Sequence, residues 1–191
     1  MTKPFVFLVF FLFLAAPTFG QDYFSRWEVF GTVGYGRTWD DEGDIGRGIN
    51  LGGGLGVRAT PKLGFEGSVN RVRHSRTFDF SGVTFKGTGT FVSANALYHF
   101  TESGVQPFVT GGVGVVHRTD SSSAIGLEPP RPSISASGFA YNFGVGMKIF
   151  ANKHISVRPE FKIFFGDLSD QDLIDPVFRV VQGSIGISYH W

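Results

Sequence analysis

The sequence predicts an all-β protein, an eight-stranded antiparallel up-and-down transmembrane β-barrel. Three observations lead to this fold class. Stretches of about ten residues alternate between apolar and small or polar side chains, as transmembrane β-strands do. The connections between these stretches alternate between short and long. The composition, with 17% charged residues and 27 glycines in 191 residues, is poorer in charge and richer in glycine than that of ordinary soluble domains.

Residues 1–20 have the three parts of a cleaved signal peptide. Lys3 supplies the basic start, Phe5–Ala16 the apolar core, and small residues end the segment at Gly20. A membrane anchor is the alternative, but the apolar run is shorter than the roughly 17 residues that a spanning helix needs, and a proline follows it. We therefore expect residues 21–191 to form the exported barrel domain.

Eight segments follow the alternating pattern, with one residue in two apolar and directed outward. The predicted strands are Trp27–Trp39, Asn50–Thr60, Leu63–Arg73, Phe85–Phe100, Gln106–Arg118, Phe139–Phe150, Ile155–Phe165 and Arg179–Trp191. Val29, Leu55, Val113 and Ile187 illustrate the residues expected to face lipid. An even number of strands allows antiparallel closure with both termini on one side of the membrane.

The connections predict the orientation of the barrel. The short turns are Thr60–Lys62, Thr101–Val105 and Ala151–His154. The longer, mostly polar loops are Asp40–Ile49, His74–Thr84, Thr119–Gly138 and Gly166–Phe178. Outer-membrane barrels have short periplasmic turns and longer external loops, so we expect a bacterial outer-membrane protein with both termini in the periplasm.

The face opposite the apolar one separates a membrane barrel from a soluble β-sandwich or a lipocalin-like barrel. A soluble protein buries its apolar face and needs bulky side chains there. Here the other face carries glycines such as Gly52, Gly54 and Gly112, together with charged residues. A core of glycine and charge does not suit a soluble fold, but it suits the interior of a narrow transmembrane barrel.

Aromatic residues collect near the strand ends and predict two interfacial girdles. On the turn side these residues are Trp27, Tyr98, Phe100, Phe150, Tyr189 and Trp191. Toward the loops they are Tyr35, Trp39, Phe85, Phe139, Tyr141 and Phe178.

Four segments carry a resemblance to a known family. They are Gln106–Gly114, Asn142–Gly146, Ile155–Phe161 and Ile185–Trp191. On these segments, the chain from Trp27 to Trp191 resembles the small outer-membrane β-barrel family typified by the OmpA barrel domain and OmpX. The resemblance implies an eight-stranded barrel, here expected without the periplasmic domain of full-length OmpA.

The resemblance also implies a partner during membrane insertion, the barrel assembly machinery. In the family, this machinery reads a C-terminal strand that has alternating apolar residues and a final aromatic residue. Ile187, Tyr189 and Trp191 match that signal by position, with tryptophan where phenylalanine is usual.

A set of polar residues is expected inside the barrel. They are Arg58, Glu66, Asn70, Lys148, Arg158, Glu160, Lys162 and Gln182. Charges enclosed in a narrow lumen are costly unless they are paired, so we expect a structural plug of salt bridges, with Arg58 and Glu66 diagonally placed on neighbouring strands. A conductive or gated pore is the alternative, but eight strands leave room for little beyond their own side chains.

The residues His154, Ser156 and Glu160 raise an enzymatic alternative. Lipid A deacylases, which are one class of eight-stranded barrels, use a histidine, a serine two residues later and a more distant glutamate. A histidine and an acid can activate a serine hydroxyl. Here Val157 replaces the asparagine that typically follows the serine, and His154 is expected at a periplasmic turn. His117, near the external rim beside Thr119, Asp120 and Ser121, is the other candidate histidine.

The favoured interpretation is a non-enzymatic, monomeric outer-membrane barrel with a structural or surface-interaction role. Its expected partners are outer-membrane lipid and lipopolysaccharide, with any surface ligand bound through the external loops. No cofactor or metal is expected: the chain has no cysteine, and the acidic runs at Asp40–Asp44 and Asp167–Asp175 lack calcium-loop spacing. A net charge of +1 predicts no attraction to nucleic acid.

Overall fold

The protein, as a computed structural model, is described over residues 25–40, 43–78, 83–124, 134–168 and 177–191. The predicted signal peptide lies outside these residues. Within them, no helix has the length and hydropathy that crossing a membrane requires. The strands are β1 (Trp27–Asp40), β2 (Gly43–Arg58), β3 (Leu63–Phe78), β4 (Val83–His99), β5 (Val105–Ala124), β6 (Ile134–Phe150), β7 (Ile155–Leu168) and β8 (Val177–His190).

The strands form one closed antiparallel barrel in sequence order, which confirms the predicted fold class. Closure occurs between β1 and β8, where Val29 lies opposite Tyr189. The backbones of Trp27 and Trp191 complete the seam, with N–O distances of 3.0 and 3.1 Å. Both described chain ends therefore lie at the same end of the barrel as the short turns, here called the turn-side end. The opposite end is called the loop-side end.

The outer surface is apolar across the middle of every strand. Residues predicted to face outward, such as Leu55, Val113, Phe143 and Ile187, are each more than half exposed. Their sequence neighbours are buried or half-buried, and β7 and β8 alternate in this way along most of their length. The side-chain period of two therefore assigned the two faces correctly.

The strands extend further at the loop-side end than predicted, so all four connections there are shorter than the predicted loops. β2 begins at Gly43 instead of Asn50, and β5 ends at Ala124 instead of Arg118. Interstrand hydrogen bonds join backbone groups, so polar residues continue the ladder beyond the apolar band. In the β1–β2 hairpin, Gly43 and Gly46 have φ values of 132° and 141°, which side-chain-bearing residues rarely adopt.

The aromatic girdles are present with two corrections. Trp27, Tyr35 and Trp191 are among the aromatic residues exposed on the outside. Phe178 is 2% exposed and points into the lumen. Phe150 also turns inward, and its ring centroid lies 4.7 Å from that of His190. Both have the inward parity of their strands, which outweighs the preference of aromatic rings for the membrane interface. The Phe85 side chain lies outside the described residues.

Candidate functional site

The lumen at the turn-side end contains a network of six ion pairs that joins three carboxylates to three cations. The carboxylates are Glu28, Glu66 and Glu160, and the cations are Lys148, Arg158 and Lys162. These residues come from β1, β3, β6 and β7, so the network crosses the lumen. The formal charges cancel, which is the condition for enclosing ions in a space that water does not fill.

Arg158 is the centre of this network and is fully buried. Its Nε lies 3.0 Å from Glu160 Oε2, its Nη2 lies 2.9 Å from Glu66 Oε2, and its Nη1 lies 3.5 Å from Glu28 Oε1. The guanidinium carbon also sits 4.3 Å from the ring centroid of Phe30. One planar cation thus meets three carboxylates that are far apart in the sequence, as the fork geometry of arginine allows.

The two lysines complete the pairing of the carboxylates. Lys148 donates to Glu28 across the barrel. Lys162 Nζ lies 2.7 Å from Glu160 Oε1 and 3.4 Å from Glu66 Oε1. Each carboxylate therefore has two cationic neighbours.

Arg58 does not pair with Glu66, although the two lie on neighbouring strands in the diagonal register that was predicted. Arg58 donates instead to Gln106 Oε1. Beside it, a cavity of about 10 Å³ is lined by Lys148, His99 and His190, among others. That volume is close to the space of a single water molecule. The turn-side mouth is therefore nearly filled by side chains.

A layer of amides and hydroxyls lies next along the barrel axis. Asn142 Nδ2 donates to Asn95 Oδ1 at 2.8 Å, and Asn95 Nδ2 donates to Ser68 Oγ at 3.0 Å. Asn50 Nδ2 donates to Gln182 Oε1 at 2.7 Å, which links β2 to β8. The predicted interior residue Asn70 is buried at this level. Most of these neutral groups bond to one another, although Asn142 Oδ1 is buried without a hydrogen-bond partner among the described residues, and their side chains occupy the lumen.

The loop-side part of the lumen contains an apolar cluster, which the sequence interpretation did not anticipate. The cluster comprises Val72, Phe91, Val116, Ala136, Ala140, Phe164, Leu168, Phe178 and Val180. The ring centroid of Phe91 lies 4.6 Å from that of Phe164 and 5.9 Å from that of Phe178. Hydrated ions would have to lose their water to pass this cluster, so the cluster closes the lumen above the polar layers.

All eight predicted interior polar residues are buried within the barrel, at 7% exposure or less. The network also contains Glu28, which sequence reasoning missed. The alternation of β1 could have identified Glu28 as an interior residue, because Trp27 and Val29 face outward and the residue between them must face inward. The arrangement can hold the strands together and block passage of ions.

The three residues of the enzymatic alternative are not brought together. His154 is exposed at the turn, and its Nδ1 lies 2.9 Å from the backbone oxygen of His190. Ser156 is fully buried, and its Oγ lies 2.8 Å from His190 Nε2. Glu160 is held by Arg158 and Lys162. Antiparallel pairing of β7 and β8 selects His190 as the partner of Ser156, which sequence proximity to His154 could not reveal.

His117 lies on the outer surface near the loop-side end. Its Nδ1 is 2.8 Å from Ser137 Oγ on the neighbouring strand. In the described part of the chain, no carboxylate bonds to this ring, so the pair lacks the acid that orients a catalytic histidine. No group of His, Asp and Glu suited to holding a metal ion occurs among the described residues.

The C-terminal residues Ile187, Tyr189 and Trp191 are all exposed on the outer surface at the turn-side end. The rings of Tyr189 and Trp191 stack with a centroid distance of 6.0 Å. Their side chains thus form one outward row on the last strand and at its end.

Comparison with known proteins identifies a family that matches this chain. The family described as outer membrane protein beta-barrel domain matches residues 6–190. No curated protein matches the sequence. Among solved structures, Neisserial surface protein A is 14% identical with a TM-score of 0.65, over 86% of this chain and 97% of that one. The attachment invasion locus protein Ail of Yersinia pestis is 18% identical with a TM-score of 0.56, over 87% and 99%. The N-terminal β-barrel domain of Pseudomonas aeruginosa OprF is 15% identical with a TM-score of 0.55, over 87% and 98%.

Proposed function

Because the chain belongs to the outer-membrane protein β-barrel family, we propose that it is a sealed, non-enzymatic barrel with a structural or surface-interaction role. The observation that carries this proposal is the filled lumen. The six-ion-pair network, the amide layer and the apolar cluster follow one another along the axis and leave about one water's space at the turn-side mouth. A sealed barrel offers partners its surface and its loop-side hairpins, not a channel.

We place the loop-side end outside the cell and both chain ends in the periplasm. The support is the length of two connections: the turns at one end, 59–62, 100–104 and 151–154, have four or five residues, whereas at the other end β5–β6 and β7–β8 are joined by nine and eight residues, although β1–β2 and β3–β4 are joined by only two and four. In this orientation the loop-side hairpins carry any binding of a surface ligand. We further propose that the barrel acts as a monomer, with lipid around its apolar outer surface.

The sealed lumen predicts the absence of stable conductance. In planar bilayers, the refolded barrel should give no current steps above the lipid background, because neither the ion-pair network nor the apolar cluster leaves a hydrated path.

The barrel should also leave lipid A unmodified. The mass spectrum of lipid A should be the same in cells that express the barrel and in cells that do not, because Ser156 and His154 do not meet.

Two results would contradict this proposal. Sustained current steps that depend on folded protein would show an open pore. Loss or gain of an acyl chain in lipid A would show a lipid-modifying enzyme, and Ser137→Ala and Ser156→Ala variants would then identify the serine responsible.

We propose that the barrel assembly machinery reads Ile187, Tyr189 and Trp191. Trp191→Ala should lower the amount of barrel inserted in cells severalfold, while changing the free energy of unfolding in vitro by about as much as Trp27→Ala does, because both rings are half exposed at the same end of the barrel. Quantified outer-membrane fractions and urea titrations measure the two effects.

Trp27→Ala is the matched control, since Trp27 is equally exposed and its backbone pairs with that of Trp191. Equal losses of insertion for the two variants would count against a C-terminal signal and favour a general interfacial role of the rings.

A further inference from the structure

Three arginines face outward together near the loop-side end of β2 and β3. Arg47, Arg71 and Arg73 are all exposed, while the residues between and beside them, such as Val72, are buried. Arg71 and Arg73 lie two positions apart on one face of β3, about 7 Å along the strand. Arg47 lies opposite Ser75 on the adjacent strand, so it is diagonal to Arg73. These three residues are called the arginine cluster.

Among the residues that the structure describes, no carboxylate pairs with the arginine cluster. Within the described ranges, none of the three guanidinium groups makes a hydrogen bond or an ion pair. Arg37, directly opposite Arg47 on β1, is different, because its Nη2 lies 2.6 Å from Asp44 Oδ2. Adjacent like charges on a sheet are destabilising unless something neutralises them. The arginine cluster is therefore suited to an anion from outside the chain.

The position of the arginine cluster on the barrel indicates the class of anion that it would bind. Arg71 pairs with Leu51 and follows Val69 on the outer face, and both of these apolar side chains are about half exposed. The arginine cluster thus borders the apolar band of the barrel. In the proposed orientation this border lies at the level of the outer-leaflet headgroups. A guanidinium fork binds phosphate oxygens in a bidentate manner, so phosphorylated headgroups are complementary.

An apolar groove lies below the arginine cluster on the same outer face. It is a wide, shallow depression that is open along most of its surface, and its lining includes Gly67, Ala94 and Gly111, with Phe65 and Phe143 beside them. A side chain added at Gly67 would meet no atom within 4 Å, so the floor is open to the membrane. Gly67 lies four residues from Arg71 on β3, roughly 13 Å along the strand. One acyl chain hanging from a bound headgroup would enter this groove.

We propose that the arginine cluster and the groove bind one phosphorylated glycolipid of the lipid A type. Its phosphates would contact Arg47, Arg71 and Arg73, and one acyl chain would lie over Gly67. This inference rests on the proposed orientation, because lipid A occupies the outer leaflet.

The test uses the purified full barrel in detergent micelles and native mass spectrometry with diphosphorylated lipid A. An Arg47→Gln, Arg71→Gln, Arg73→Gln triple variant should bind at least about tenfold more weakly, a change equal to about 1.4 kcal/mol. Gly67→Leu should also weaken binding by filling the groove. Dephosphorylated lipid A should bind the wild type as weakly as phosphorylated lipid A binds the triple variant.

The matched control removes the same charge at the turn-side end with Arg26→Gln, Lys62→Gln and Lys153→Gln, all exposed positions. Its lipid A affinity should stay within about twofold of wild type. Equal weakening in the two triple variants would overturn the site and indicate general electrostatic attraction. Equal binding of phosphorylated and dephosphorylated lipid A would overturn the role of the arginine cluster.

Orientation is tested separately in intact cells with a membrane-impermeant maleimide, since the chain has no cysteine. Glu128→Cys, between β5 and β6, should be labelled, and Lys153→Cys, in the β6–β7 turn, should not. The reverse pattern would refute the proposed orientation, and with it an outer-leaflet ligand, whatever the micelle measurement shows. The expected pattern combined with unchanged binding by the cluster variant would refute the lipid site alone.

Discussion

Replacing Arg158 with methionine should lower the free energy of unfolding by about 3–5 kcal/mol. The side chain is fully buried and meets Glu28, Glu66 and Glu160. Methionine has a similar reach but no charge, so the variant leaves three buried carboxylates with two lysines. An unpaired charge in a dry interior is far more costly than the loss of a contact in water. Urea titration of the barrel folded in phosphatidylcholine vesicles measures the change.

Two further variants make this result specific to charge. Arg26→Met changes an exposed arginine and should alter the stability by less than about 0.5 kcal/mol. Adding Glu160→Gln to Arg158→Met should restore part of the lost stability, because the number of carboxylates then matches the number of lysines. An Arg158→Met barrel within 1 kcal/mol of wild type would show that water reaches the network and that the lumen is not sealed.

The second large effect is expected at Gly112, whose lumen side has no room for a side chain. A Cβ there would overlap Asn95 Oδ1 and come within 2.5 Å of the Ala94 carbonyl oxygen. Asn95 is held by Asn142 and Ser68, and the Ala94 backbone is fixed in the β4–β5 ladder. Gly112→Val should therefore destabilise the barrel by about 3 kcal/mol or more, through overpacking and broken amide hydrogen bonds. The folded fraction in vesicles and its urea midpoint give the measurement.

Gly67→Val is the control for the change from glycine to valine. Gly67 faces outward with nothing within 4 Å of an added Cβ, and valine favours extended strands. This variant should fold at least as well as wild type. If Gly112→Val folded as well as Gly67→Val, the lumen would be wider at this level than the packing indicates.

The sequence was informative about the barrel wall because strand alternation is local. Outward Leu55 and inward Arg58 could be assigned from parity alone, and the short turns were found from their proline, glycine and polar residues. Phe178 could also have been assigned, since it shares parity with Gln182 on β8. It was misplaced because aromatic preference for the interface was given more weight than parity.

The sequence was less informative at the loop-side end and in the lumen. Beyond the apolar band, polar strand residues such as Arg47 resemble loop residues, so Asp40–Ile49, at the loop-side end of the β1–β2 hairpin, was predicted as a loop. The sequence also could not predict which side chains pair with each other inside the barrel. Arg58 was expected diagonal to Glu66, yet it donates to Gln106, and Ser156 meets His190 instead of His154.

The sequence by itself determined the number of strands, the short turns and the face on which each side chain lies, because these depend on a period of two and on the transfer of apolar groups from water. The tertiary structure decided which charges meet and where the lumen turns from ionic to apolar. Arg158 on β7 reaches Glu66 on β3 across the barrel, and Phe91 meets Phe164 and Phe178 above them. Those contacts depend on the height at which each strand enters the closed barrel. That height is set by the register of all eight strand pairs together, and no single segment contains it.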